Sequence, residues 1–162
     1  MSKVKPIPEG CEGIIAHLVV DDCAKAIDFY KKAFGAEEIC RMPSPDGRLM
    51  HAEIRIGSQN VYLADDFPEY CGGKARNPKA LGASPVTLTQ YVKNCDSAIE
   101  RAAKAGAKVT MPAADMFWGD RYGVINDPFG HTWAFCTHQK DMTPEQMVEA
   151  SKAAFSGAGC DR

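Results

Sequence analysis

Two hydrophobic periods organise this chain. In Ile14–Val20 the side chains split into Ala16, Leu18 and Val20 on one face and Ile15, His17 and Val19 on the other, the period of two that a strand imposes. Directly after it, Cys23, Ile27, Tyr30 and Phe34 recur at i, i+4, i+7 and i+11, one continuous stripe along a helix. Asp21 and Asp22 stand where a carboxylate can accept from the free amides of that helix's first turn, and Gly35 allows the left-handed residue that ends it. Strands are predicted next over Glu38–Met42, Leu49–Ile56 and Asn60–Ala64. The first two are joined by PSPDGR, whose Asp46-Gly47 pair marks a hairpin. In Leu49–Ile56 an apolar face of Met50, Ala52, Ile54 and Ile56 opposes His51, Glu53 and Arg55.

The same succession then returns. VDDCAKAI (Val20–Ile27) and VKNCDSAI (Val92–Ile99) share the pattern V-x-x-C-x-x-A-I at an offset of 72 residues. A strand, Val86–Val92, precedes the second copy, with Thr87, Thr89 and Tyr91 on one face. Asn94 or Asp96 caps the following helix, Ile99, Ala102 and Ala103 give it a weaker stripe, and Gly106 closes it. Strands follow over Lys108–Pro112, around Tyr122–Asn126 and over Thr132–Thr137. Each half thus reads β-α-β-β-β, about residues 14–66 and 86–138, with a Gly- and Pro-rich linker over 67–85. Residues 139–162 form a C-terminal helix and tail, the helix opened by Thr143, Pro144 and Gln146 as a capping box.

Composition narrows the function classes. Hydrophobic residues make up 45% and the formal net charge is −2, the profile of a globular chain without the basic stripe that nucleic acid requires. No apolar run approaches the length of a membrane span, and the N-terminus lacks the apolar core of a secretory signal, so the expected compartment is the cytoplasm. Seven scattered cysteines with no C-x-x-C pair fit free thiols better than a disulfide framework or a zinc knuckle.

LVVDDCAKAIDFYKKAFGAEE, MHAEIRIG, LADDFP and FWGDRYGVINDPFGHTW, set in paired β-α-β-β-β halves, resemble the vicinal oxygen chelate (VOC) superfamily of glyoxalase, bleomycin-resistance and dioxygenase proteins, and within it the PhnB-like branch. The resemblance implies an α+β fold in which the two repeats build a curved, half-barrel-like mixed sheet, one glyoxalase-like domain over residues 1–138. The 72-residue repeat predicts two half-barrel sheets, neither of which can bury its curved face alone, and hence a homodimer in which the halves pair within or between chains. The methyltransferase label carried by some members of that branch has no support here, because no strand leads into a glycine-rich adenosyl loop.

Glyoxalase-type relatives ligate a divalent metal from the first and last strands of each half. Carried over, those positions are Ile15, Leu63, Thr87 and Ala134, and none is an imidazole or a carboxylate. No cofactor and no metal are therefore expected. A shifted set, His17 with Asp65, His51 and Glu53, reads as a polar ligand cradle, a metal site or a hydrogen-bonded structural cluster. Asp127-Pro128-Phe129-Gly130 is a β-turn, Trp133 a core residue and His131 a structural one. FWGDRY is either a ligand-contacting loop at a cavity mouth or a packed corner. The expected function is binding of a small, aromatic or anionic molecule by His17, His51, Glu53, Asp65, Tyr91, Trp118, Arg121 and Tyr122, with no catalytic residue assigned. The alternative is a metal-dependent VOC enzyme of lyase, isomerase or dioxygenase type using the shifted ligands.

Overall fold

Both principal helices start where the sequence supplies an acceptor. Asp22 accepts from the Lys25 amide to open α1 (Cys23–Phe34), and Asn94 accepts from the Ser97 amide to open α3 (Cys95–Ala105). Gly35 and Gly106, at φ 68° and 115°, end them in the left-handed conformation that a side chain would strain. The computed structural model describes residues 4–8 and 11–156. Its strands are β1 (Ala16–Val20), β2 (Glu37–Pro43), β3 (Leu49–Ile56), β4 (Gln59–Asp65), β5 (Thr87–Tyr91), β6 (Lys108–Asp115), β7 (Asp120–Asn126) and β8 (Thr132–His138). A 3-10 turn at Pro68–Tyr70 and a short helix, α2 (Pro78–Leu81), punctuate the linker, and α4 (Pro144–Ser156) closes the chain.

The strands form two separate four-stranded sheets, ordered β1-β4-β3-β2 and β5-β8-β7-β6. In each, the first strand runs parallel to the last and the remaining pairs are antiparallel. The sheets do not close on one another by ladder hydrogen bonds. The paired repeats read from the sequence are present as drawn, in an α+β arrangement.

One face of each sheet is packed against the helices. Leu18, Val20, Ala52, Ile54 and Leu63 of the first sheet meet Ile27, Tyr30 and Phe34 of α1, all buried. Leu88, Ile125, Trp133 and Phe135 of the second sheet belong to the same core, as do Cys95, Ala98, Ile99 and Ala102 of α3. Rings from both repeats interlock, Phe34 against Trp133 at 4.6 Å and Tyr30 against Trp133 at 5.5 Å between centroids. Asp127, buried in the β7–β8 turn, joins the repeats by hydrogen bonding. It accepts from the Tyr30 hydroxyl at 2.6 Å, Trp133 Nε1 at 3.0 Å and the amides of Phe129 and His131, each at 2.9 Å. Burial first, and then the Asp127 charge, push the Tyr30 hydroxyl well above its ordinary pKa, so it stays protonated as a donor.

Two boundaries and one helix face differ from expectation in ways that bear on the site. β6 runs past Pro112 to Asp115, because an edge strand need not donate at every residue. β7 begins at Asp120, so Arg121 and Tyr122 lie in a strand, and the expected loop shrinks to a tight turn closed by Met116 and Asp120. Ala103 is exposed, the α3 stripe running instead through Cys95, Ala98, Ile99 and Ala102.

Candidate functional site: the open face of the first sheet

The alternation that buries one face of the first sheet leaves the other open. Register pairs His17 with Tyr62, Tyr62 with Glu53, and Glu53 with Cys40, so these four side chains cross the sheet in one row. His51 stands beside the row, its ring 4.8 Å from that of Tyr62 and 6.3 Å from that of His17. Cys40 joins the row because β2 carries a bulge between Glu38 and Cys40, which changes the face its later residues present. Asn60 Nδ2 donates to Glu53 Oε1 at 2.7 Å, and the Cys11 thiol lies 3.6 Å from the Tyr62 hydroxyl.

At one end the row meets the linker. Burial, then His51 and Arg76, hold the His17 imidazole below its ordinary pKa, which keeps it neutral at pH 7. Arg76 lines a groove of about 350 Å³ with His17, Val19, Pro78, Leu81 and His131. It also lines a second groove, about 400 Å³, with Arg48, Met50, Phe67 and Tyr70. The Arg76 backbone is fixed by its amide donating to Asp66 at 2.6 Å, whereas its guanidinium has no hydrogen bond or ion pair among the described residues. The linker composition gave no sign of this arginine's position; only the fold brings it to the sheet.

Of the residues expected at the site, His17, His51 and Glu53 come together on this face, and four others lie on the second sheet or its turn. Tyr91 donates to the buried Asp120 at 2.8 Å, and His138 lies 2.8 Å from the same carboxylate. Trp118 packs edge-on against Tyr122 at 5.6 Å, and Phe117 contacts Phe155 of α4 at 5.9 Å. Arg121 turns towards the helix side. Its fork binds Asp96 of α3 at 2.5 and 2.7 Å and Asp115 at 2.9 Å, so it clamps β7 to α3 and β6. Asp65 also departs from the expected cluster. It is buried on the helix side, where it accepts from the Cys23 amide at 2.7 Å and the Leu49 amide at 2.6 Å. Strand parity explains this, since Asp65 shares its face with Leu63, and Leu63 is core.

The usual VOC ligand positions do not fit a metal. Leu63 and Ala134 are fully buried and Ile15 is an alkyl group, leaving only the exposed Thr87 with an oxygen. The open-face neighbours of Leu63 on β4, Tyr62 and Ala64, restore neither an imidazole nor a carboxylate.

The profile of the Glyoxalase/Bleomycin resistance protein/Dioxygenase superfamily matches residues 14–135. An uncharacterized protein of Mycobacterium tuberculosis is 48% identical over 141 residues, covering 87% of this chain and 83% of its own. The X-ray structure of an Arabidopsis thaliana gene product superposes with a TM-score of 0.61 at 28% identity, covering 76% of this chain and 96% of that one. A Bacillus cereus structure described as a putative 3-demethylubiquinone-9 3-methyltransferase, PhnB protein, shares the fold alone: TM-score 0.59 at 15% identity, over 78% and 99% of the two chains. With paired β-α-β-β-β repeats, an open sheet face and a profile match across most of its length, the chain belongs to the glyoxalase/bleomycin resistance protein/dioxygenase superfamily.

Proposed function

We propose that this protein is a PhnB-like member of the superfamily that binds a small aromatic anion on the open face of its first sheet, without a metal at the superfamily's usual positions. The observation that carries the reading is Arg76. A guanidinium without a protein partner, between two grooves and beside a neutral imidazole, is a fork of donors suited to a carboxylate or phosphate-like group. Phe67 and Tyr70, their rings 6.0 Å apart and tilted by 32°, offer an apolar wall for the ring of such a ligand. His51, Glu53 and Tyr62 supply hydrogen-bonding groups along the row. The face is open in one copy of the chain, which supports a homodimer as the working form, and we place that form in the cytoplasm; among the described residues no helix is long and apolar enough to cross a membrane.

The test is a matched pair of probes, benzoate and benzamide, titrated by NMR or thermal shift. Benzoate should bind more tightly, and Arg76→Ala should weaken it about tenfold or more, the loss expected for one charge-assisted contact. Equal binding of the two probes, or benzoate affinity unchanged in Arg76→Ala, would remove the reading.

A further inference from the structure

The geometry points to a metal site that the superfamily's ligand positions do not describe: Cys40, His51 and Glu53, on β2 and β3, hold a zinc-like divalent ion. Their ligand atoms, a thiol sulfur, an imidazole nitrogen and a carboxylate oxygen, all lie within 4.8 Å of one another. The β2 bulge produces this meeting. Glu38 pairs with Ile54 and, with the extra residue Ile39 between them, Cys40 pairs with Glu53. In an unbroken ladder Cys40 would pair with Ala52 and point at the helices, and the thiol would be lost to the open face. Bulges commonly re-aim a side chain in this way beside functional sites.

The donor set selects the ion. Thiolate, imidazole and carboxylate together suit zinc or cobalt(II), whereas magnesium and calcium take oxygen donors. A tetrahedral ion with bonds of about 2.0–2.3 Å sets its donors roughly 3.5 Å apart, so the three side chains close by about 1 Å around it. Cys40 is exposed and has room to do so. The Asn60 amide on Glu53 Oε1 orients the carboxylate from outside the donor set. Three protein donors leave a fourth position for water or a ligand oxygen, the pattern of a working zinc rather than a purely structural one. The expectation of no metal is drawn from Ile15, Leu63, Thr87 and Ala134, on the first and last strands of each repeat, and the site at Cys40, His51 and Glu53 departs from it. This site uses the other two strands of the first repeat. It shares His51 and Glu53 with the proposed ligand row and goes beyond that reading, but it does not involve Arg76, whose contact with an anion is tested separately.

The experiment titrates cobalt(II) alone into the full-length, thiol-reduced protein under argon. One equivalent should bind with a near-ultraviolet thiolate-to-cobalt charge-transfer band and the visible bands of a four-coordinate ion, and zinc should displace it. Cys40→Ser should abolish the charge-transfer band, while Cys11→Ser should retain it. His51→Gln and Glu53→Gln should each weaken binding at least tenfold, and Asn60→Ala by about 10- to 100-fold, the range seen for residues that orient ligands. Circular dichroism and the unfolding midpoint check that each variant folds, and the His51 and Glu53 variants carry the test should Cys40→Ser fail to. Weak absorption of a six-coordinate ion only, or an undiminished charge-transfer band in folded Cys40→Ser, would overturn the site while leaving the benzoate result untouched.

Discussion

The two repeats share a backbone plan and differ in what they present on their open faces. His17, Tyr62, Glu53 and Cys40 form the row in the first sheet; Thr89, Ala134, Val124 and Met111 occupy the corresponding register in the second. His51 corresponds to Tyr122, which packs under Trp118. Three polar groups of the second repeat have protein partners: Tyr91 and His138 in Asp120, and Arg121 in Asp96 and Asp115. The Arg76 guanidinium, near the first repeat, has no hydrogen bond or ion pair among the described residues. One backbone plan thus carries a polar row on the open face of one sheet and a mostly apolar one on the other, with an apolar helix side in both.

The comparison can be broken first at the joint between halves. Asp127→Ala leaves the buried Tyr30 hydroxyl, Trp133 Nε1 and two amides without their acceptor, and should lower stability by about 3–5 kcal/mol or prevent folding, read from a denaturant midpoint. Next comes Gly123, where a Cβ would strike Ile99 Cδ1 and approach Ala113 N at 3.0 Å. Gly123→Ala should cost about 1–3 kcal/mol by overpacking β7 against α3. The two arginines sharpen the division of labour. Arg121→Ala should lower the melting midpoint and leave benzoate binding intact, and Arg76→Ala should do the reverse, with stability held within about 0.5 kcal/mol.

The smallest effect is a pair of opposed pH dependences. His17 is held below its ordinary value of 6.5, so the unfolded chain binds more protons there, and stability falls as pH drops from 6.5 through the lower folded value. His138 is held above 6.5, by hydrogen bonds to Asp141 first and Asp120 second. Its contribution is complete below 6.5 and is lost as pH rises through the folded value. His17→Gln should flatten the acid limb of the stability profile and His138→Gln the limb above 6.5, in urea titrations at stepped pH.

Helix-side features were legible because burial imposes period and capping directly on sequence. The α1 stripe, the Asp22 cap, the DPFG turn and the buried Trp133 are local statements about apolar spacing and acceptors. The open face depends on register and on partners distant along the chain. Asp65 was read onto the open face, although a fixed period of two places it with Leu63 in the core. Arg121 carries the right chemistry for an anion, yet Asp96, 25 residues earlier, occupies it. Cys40 is brought to Glu53 by a single extra residue in β2, which no hydropathy pattern announces. Arg76 sits in a linker whose composition says only that it is not a strand.

Irregularity in β2 has a counterpart in β6, where the register shifts twice between Val109 and Ala114 around Pro112. Each forms one edge of its sheet, where a neighbouring molecule could add a strand of its own; β1 and β5 form the other edges. A proline that cannot donate and bulges that twist the rim away weaken that template on the β2 and β6 edges. Growth by stacking on those two edges, one route to filaments and amyloid-like aggregates, is thereby obstructed, and Pro112→Val should make concentrated solutions of this protein fibrillate more readily.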